Sequence, residues 1–370
     1  MMLSLFLIIF VGPCWCFMTN QLLQYHVIDK EKSWDQAQKY CREEHTDLAT
    51  VTSMADMERL SQDLGNKKAW IGLYREAGSS RIWQWSQPEV QFNESQSDWD
   101  TIYNEPNDVG KENCGAVRNT LKWADLSCNS IQPFICYDER NSSEVIYGKV
   151  QRNWTDAQNF CRNHHTDLIS GPEQMKKLNV METLQSLPNL VGNNYLFIGL
   201  FRDPWQWSDG SNSSFRFWNL TYDDEESVSS CVMLNEEGRW NSENCEETHH
   251  FVCHEDHVIL INESRTWEEA LYYCRHHHHD LVTITNLEEQ RWVQEKTKNA
   301  TTPYVWTGLR YTCTLGFWFW VSDEVVRYKN WDSPEQVNEC DMSGAMETGG
   351  EHKWVKKHDE EKFNFFCSTT

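Results

Sequence analysis

Trp34–Asp35–Gln36–Ala37–Gln38–Lys39–Tyr40–Cys41 decides the fold, because its frame returns twice. It recurs as Trp154–Thr155–Asp156–Ala157–Gln158–Asn159–Phe160–Cys161 and as Trp267–Glu268–Glu269–Ala270–Leu271–Tyr272–Tyr273–Cys274. Spacings of three and then four residues put Trp, Ala and Cys on one helical face. A later cysteine closes each frame: Cys136, Cys253 and Cys367, which lie 95, 92 and 93 residues on. A repeat of that length is a whole domain rather than a solenoid unit.

Working outward, the same order of features appears three times. Short apolar strands open the modules at Tyr25–Ile28, Val145–Tyr147 and Val258–Ile261. Ser33 is a natural N-cap for the first helix. After each helix come a basic or His-rich turn and an Asp–Leu pair: Asp47–Leu48, Asp167–Leu168, Asp280–Leu281. A second amphipathic helix is clearest at Asn286–Lys298. Buried strands follow at Trp70–Leu73, Phe197–Leu200 and Trp306–Leu309. Each leads to a Trp–x–Trp pair: Trp83/Trp85, Trp205/Trp207, Trp318/Trp320. Final strands end in Phe134–Cys136, Phe251–Cys253 and Phe365–Cys367. Tyr137–Ser143 is a polar linker and His254–Asp256 barely one, so modules two and three are expected to be held more closely than one and two.

The 370 residues fit three domains. Fourteen cysteines point to disulfides and an oxidising compartment. Leu3–Val11 is apolar but too short to span a bilayer, which reads as a signal peptide over residues 1–16. Its removal takes Cys14 and Cys16 and leaves four cysteines per domain. The expected domains are 20–137, 143–254 and 256–368. Sequons at Asn93, Asn141, Asn212, Asn219, Asn262 and Asn299 fit a secreted glycoprotein. Asn153 also heads a sequon, but sits where a helix N-cap is expected. A net charge of −23 repels phosphate backbones, so nucleic acid is excluded as a partner. No further apolar stretch predicts membrane insertion.

Motif order, spacing and cysteine positions together resemble the C-type lectin-like domain, over essentially all of the mature chain. The tandem arrangement is similar to part of a macrophage mannose receptor or a soluble relative. The resemblance implies an α+β fold: three tandem domains, each with two helices, antiparallel sheets and a long loop, stapled by disulfides. It implies the long bridges Cys41–Cys136, Cys161–Cys253 and Cys274–Cys367, and the short bridges Cys114–Cys128 and Cys231–Cys245. The third module departs from the pattern, with Cys313 and Cys340, so a relocated Cys313–Cys340 bridge is expected. Two free thiols are the alternative.

Glu105–Pro106–Asn107, Glu112–Asn113 and Trp123–Ala124–Asp125 resemble the family's calcium and sugar site. Calcium takes six to eight oxygen ligands, and Glu105, Asn107, Glu112 and Asp125 can supply them, with Asp108 and Asn113 as auxiliaries. The Glu-Pro-Asn order goes, in the family, with mannose, fucose or N-acetylglucosamine. Pro106 is expected to be cis. Ala124 stands where the family has Asn, which removes a calcium oxygen and a sugar donor. Module two offers only Tyr222–Glu226 and Trp240–Ser242. Module three offers Ser333–Glu335 and Trp354–Lys356. Neither is expected to bind calcium.

His276–His279, with His164–His165 and His45 at matching positions, reads as solvated turns, because consecutive residues diverge around a helix end. Most tryptophans read as core, with Trp99 and Trp331 as exposed stacking candidates. No His-Glu-x-x-His, Gly-x-Ser-x-Gly or phosphate loop is present, so an enzyme is not expected. Two functions stay open. One is a secreted lectin in innate recognition or adhesion, binding glycans or glycoproteins through module one with calcium. The other is a calcium-independent molecule with a decayed sugar site, binding protein ligands.

Overall fold

The computed structural model describes residues 22–88, 90–118, 120, 122–138, 146–147, 150–177, 195–219, 230–334 and 339–370. The signal-peptide reading, Asn141 and the Tyr222–Glu226 loop fall outside these residues. In chain order the first module contributes β1 (Leu23–Lys32), α1 (Trp34–Glu44), β2 (Asp47–Leu48), α2 (Met54–Leu64) and β3 (Ala69–Arg75). It continues with β4 (Ile82–Trp85), β5 (Cys114–Arg118), β6 (Trp123–Leu126) and β7 (Ile135–Tyr137). The second contributes β8 (Ile146–Tyr147), α3 (Trp154–His164), β9 (Asp167–Leu168), α4 (Pro172–Lys177) and β10 (Tyr195–Asp203). Then follow β11 (Gln206–Trp207), β12 (Ser230–Leu234), β13 (Trp240–Glu243) and β14 (His249–Asp256). The third has β15 (Val258–Arg265), α5 (Trp267–His277), β16 (Asp280–Leu281), α6 (Leu287–Lys296) and β17 (Tyr304–Thr312). It ends with β18 (Phe317–Trp320), β19 (Met342–Glu347), β20 (Trp354–His358) and β21 (Phe363–Ser368).

The first two modules exchange halves. β1 pairs with β14, and β3 pairs with β11, β12 and β14, so the first half of module one closes on the second half of module two. β10 pairs with β4 and β5, and β7 pairs with β8 and β9, which makes the reciprocal unit. We call these the outer unit (22–75 with 206–256) and the inner unit (82–203). The cores follow the same division. Trp34, Ala37, Cys41, Leu48 and Trp70 pack with Cys231, Met233, Phe251 and Cys253. Cys114, Ala116, Phe134 and Cys136 pack with Trp154, Ala157, Cys161 and Phe197. In the third module β15 to β21 all pair among themselves.

This corrects two expected bridges. Cys41 bonds Cys253, not Cys136, and Cys161 bonds Cys136, not Cys253. Cys274–Cys367, Cys114–Cys128, Cys231–Cys245 and Cys313–Cys340 are bonded within their modules. The expectation that modules one and two are the more loosely joined pair also gives way, since they are interleaved.

A hairpin explains where the exchange occurs. Leu309 pairs with Trp320, eleven residues later, across the turn of module three. The equivalent reversal in module one would pair Leu73 with Trp85, twelve residues later, but in module two it would pair Leu200 with Trp207 after only seven. That would put Asp203–Pro204 at the centre of a two-residue turn. Such turns need positive φ at one or both central residues, favour Gly or Asn there, and clash with proline's fixed φ. Instead β10 stays extended through Asp203, which pairs with Ile82, and the chain crosses to the outer unit. A short, strained hinge favours exchange of identical elements. Asp203 then holds Arg216 at 2.6 and 3.1 Å, both side chains buried.

The recurrent residues have local reasons. The frame tryptophans donate their indole N–H to a strand carbonyl: Trp34 to Ile71 at 2.8 Å, Trp154 to Ile198 at 2.8 Å, Trp267 to Thr307 at 2.9 Å. The Asp of each Asp–Leu pair accepts from its helix arginine: Arg42 to Asp47 at 3.1 Å, Arg162 to Asp167 at 3.1 Å, Arg275 to Asp280 at 3.0 Å. A Cβ on Gly72 would lie 2.9 Å from the Leu48 carbonyl oxygen, which explains glycine in that strand. Ser33 holds the N-cap position with extended backbone but makes no side-chain cap bond, whereas Asn153 and Thr266 do.

Candidate cation and ligand site

The site is built on the inner unit, where β5 and β6 form a hairpin bridged from Cys114 to Cys128, just after the long loop. Glu105–Pro106 is a cis peptide bond. Past it, the Asn107 backbone N–H donates to Asp125 Oδ1 at 2.9 Å, and Asn107 Nδ2 donates to Glu105 Oε2 at 2.8 Å. Three of the four expected ligands are thus tied into one polar surface, and Glu112 lies close enough to perturb it. Burial pushes the Glu105 carboxyl up to about 7, helped by its hydrogen bond to Asp125 and the charges of Asp125 and Glu112. Burial likewise raises Glu112, with Asp125 and Asp108 adding to the effect. Crowded, desolvated carboxylates of this kind are relieved by a proton or by a cation.

Two arginines already supply part of that charge. Arg202 donates to Asp125 Oδ2 at 2.6 Å and to the Glu112 carbonyl oxygen at 2.8 Å. Arg118 lies 3.7 Å from Glu105 Oε1. Arg202 belongs to β10, so module two's strand completes module one's loop. The sequence reading missed it, although its signal is visible: Arg75 and Arg202 both stand three residues after the strand glycines Gly72 and Gly199.

Of the auxiliaries, Asp108 is exposed, and its N–H donates to Asn107 Oδ1 at 2.7 Å. Asn113 Nδ2 donates to the Gly110 carbonyl at 3.3 Å, while its Oδ1 is buried without a hydrogen-bond partner. That orphaned amide oxygen is the kind of donor a hard cation takes. Ala124 is fully buried opposite Ala116 and offers nothing.

The stacking candidates need correction. Trp99 is buried, 4.8 Å from Trp83 and 5.8 Å from Trp123 by ring centroids, so it is core. Trp331 is half-buried against Trp318 and Trp354. The exposed apolar side chains beside the site are Ile102, Tyr103 and Val109, with the Arg118 guanidinium 3.8 Å above the Tyr103 ring.

The corresponding positions elsewhere are occupied differently. In module two Asn241 Oδ1 accepts from Asn235 at 3.0 Å. In module three Lys356 stands where Asp125 stands and donates to the Pro334 carbonyl at 2.7 Å. In the His276–His279 run, His276 stacks on Tyr272 and lies edge-on to His277 at 4.7 Å, and His277 and His278 both flank Tyr273, so these rings do not simply diverge.

The Lectin C-type domain matches residues 30–138, 150–255 and 263–369. C-type mannose receptor 2 of Homo sapiens is 25% identical over 86% of this chain and 25% of its own length. Lymphocyte antigen 75 of Homo sapiens is 25% identical over 94% of this chain and 22% of its own. The chain thus spans about a quarter of the length of the curated relatives it matches. Among solved structures, human lithostathine is 28% identical, covering 30% of this chain and 88% of its own, with a TM-score of 0.28.

Proposed function

Since the chain belongs to the Lectin C-type domain family, we propose that it binds glycans through the first module's loop, with calcium held by Glu105, Asn107, Glu112 and Asp125. The observation that carries this reading is that Asn107 is tied to both Glu105 and Asp125, which gathers three of the four oxygen-bearing side chains at one place. Bound calcium would supply a Lewis-acidic centre for two adjacent sugar hydroxyls. The chain's own groups do the rest. Glu105 and Glu112 accept from the hydroxyls, Asn107 Nδ2 donates to one, and Tyr103 and Val109 offer exposed apolar surface to the ring. The Glu-Pro-Asn order points to mannose-, fucose- or N-acetylglucosamine-type sugars. The mannose receptor among the relatives agrees with that class.

A second reading rests on Arg202. Its guanidinium already neutralises Asp125, which suits a calcium-independent, protein-binding surface. Titrating calcium and then mannose into the full chain separates the two. Saturable calcium heat followed by sugar heat supports the lectin; neither heat supports the protein-binding reading.

The proton on Glu105 gives this titration a pH signature. Its carboxyl stands at about 7 in the folded chain against an ordinary 4.5. The stability it contributes is therefore present below 4.5 and lost as pH rises through about 7. Calcium needs the ionised carboxylate, so binding releases that proton. Affinity is expected to be about tenfold weaker at pH 6 than at pH 8. Glu105→Gln is expected to reduce the proton release, measured calorimetrically in buffers of different ionisation enthalpy, with Glu112 left as the remaining raised carboxyl.

Export and glycosylation belong to the same reading. Asn93, Asn212, Asn262 and Asn299 are exposed, and Asn219 is half-buried. Asn153 Oδ1 accepts the Asp156 N–H at 2.7 Å as a helix cap. Peptide mapping after enzymatic glycan removal is expected to find the four exposed sites modified and Asn153 bare. Among the described residues no helix is long and apolar enough to cross a membrane.

A further inference from the structure

We infer that His26, His45 and Glu255 form a binding site for a zinc-class divalent ion, separate from the calcium loop. The three come from different elements of the outer unit: β1, the turn that ends α1, and β14. One ligand atom from each lies within 4.8 Å of the others. His26 Nε2 is 3.0 Å from Glu255 Oε2, and His45 Nδ1 is 3.7 Å from the same oxygen. Zinc bonds of 2.0–2.2 Å at the tetrahedral angle put neighbouring ligand atoms roughly 3.4 Å apart. The two observed distances straddle that value. The imidazole rings stack with centroids 4.4 Å apart and 18° between planes, so one ring must rotate out of the stack for both in-plane nitrogen lone pairs to meet one ion. His45 Nδ1 is buried and has no hydrogen-bond partner.

The donor set selects the ion. Two imidazole nitrogens and one carboxylate oxygen suit zinc and its neighbours, not calcium or magnesium, which prefer oxygen alone. The side chains are 28%, 16% and 43% exposed for His26, His45 and Glu255, which leaves a coordination position open to water. The chain's net charge of −23 raises the local concentration of cations.

The repeat supplies an internal control. The helix-end histidine is common to all modules, as His45, His165 and His278. The residue registered opposite the closing cysteine differs: His26 faces Cys253, Ile146 faces Cys136, and Ile259 faces Cys367. Two residues past those cysteines stand Glu255, Asp138 and Thr369. The counterparts among the described residues of the inner unit are His165 and Asp138, 3.2 Å apart, with Ile146 in the place of His26. The full trio exists where module one's start meets module two's end, so the ion would clasp the exchanged halves beside Cys41–Cys253.

The test uses the full chain, stripped with chelator, carrying His276→Gln, His277→Gln, His278→Gln and His279→Gln so that the surface tract does not compete. Zinc is titrated calorimetrically, and cobalt is added as a spectroscopic probe. One saturable equivalent is expected, with the strong visible absorption of four-coordinate cobalt and a rise in Tm. His26→Gln and Glu255→Gln should each weaken binding at least a hundredfold, while Asp138→Asn and Glu105→Gln leave it unchanged. No saturable uptake would overturn the site, leaving a histidine–carboxylate ion pair only. Uptake that survives both His26→Gln and Glu255→Gln would overturn it equally. Loss on Asp138→Asn instead of Glu255→Gln would show module one closing on itself.

Discussion

Cys136→Ala is expected to release the thiol of Cys161 and leave Cys41 bonded. Closure of each module on itself would release Cys41 instead, so thiol labelling and peptide mapping of one variant decide the question. The prediction follows from the bridges Cys136–Cys161 and Cys41–Cys253, whose sequence separations are 25 and 212. Losing the Cys136 bridge is expected to cost the inner unit roughly 2–5 kcal/mol in denaturant unfolding. The outer unit keeps its own bridge and core. Replacing the hinge tests the cause. Asp203→Asn with Pro204→Gly creates a pair that favours a tight hairpin. Part of the population should then show Cys161–Cys253. If the pairing stays wholly exchanged, the turn is not what drives the chain across.

The exchange marks the limit of what the sequence could say. The frame tryptophan, the aspartate of the Asp–Leu pair and the strand glycine each have one partner within their own half-module, such as Ile71 for Trp34, Arg42 for Asp47 and Leu48 for Gly72. They were legible because their partners are close in the chain. The partner of Cys41 was not. Cys136 and Cys253 end equivalent strands, Phe134–Cys136 and Phe251–Cys253, and either fits beside Trp34 and Ala37. Periodicity and spacing assign a cysteine to a position in the module but not to a copy of it. Only the seven-residue reach from Leu200 to Trp207, with Pro204 inside it, carried the information.

The loop site divides in the same way. Glu105, Asn107, Glu112 and Asp125 lie within 21 residues of one another and could be read together. Arg202 could be seen as a repeated feature but not assigned to this loop, because that depends on which copy's strand lies alongside. Trp99 was misjudged for a related reason. Its neighbour Trp123 bridges to it in parallel, and that bridge draws the loop's start into the core. Glu255 is the sharpest case. It belongs to module two by sequence, yet it faces His26 and His45 of module one.

Ala124→Asn is expected to tighten calcium binding by tenfold or more. The residue restores an amide oxygen for the ion and an amide N–H for the sugar. A hydrogen bond to a charged or ion-held group is worth about 1.5–3 kcal/mol, and each 1.4 kcal/mol is a factor of ten. The same change carries a cost without calcium. Position 124 is fully buried, so an unpartnered amide there is expected to lower stability by about 1–3 kcal/mol. Calcium should then recover more stability in the variant than in the native chain. Arg202→Met provides the opposing case. It strips the guanidinium from Asp125, whose side chain is fully buried, at an expected cost of about 3–5 kcal/mol. If Asp125 is a calcium ligand, saturating calcium restores most of that loss, because the ion takes over the role of the arginine. Thermal unfolding of both variants with and without calcium reads this directly. Recovery in both assigns Asp125 and position 124 to the ion. Recovery in neither assigns Arg202 as the permanent cation of this loop and favours the protein-binding reading.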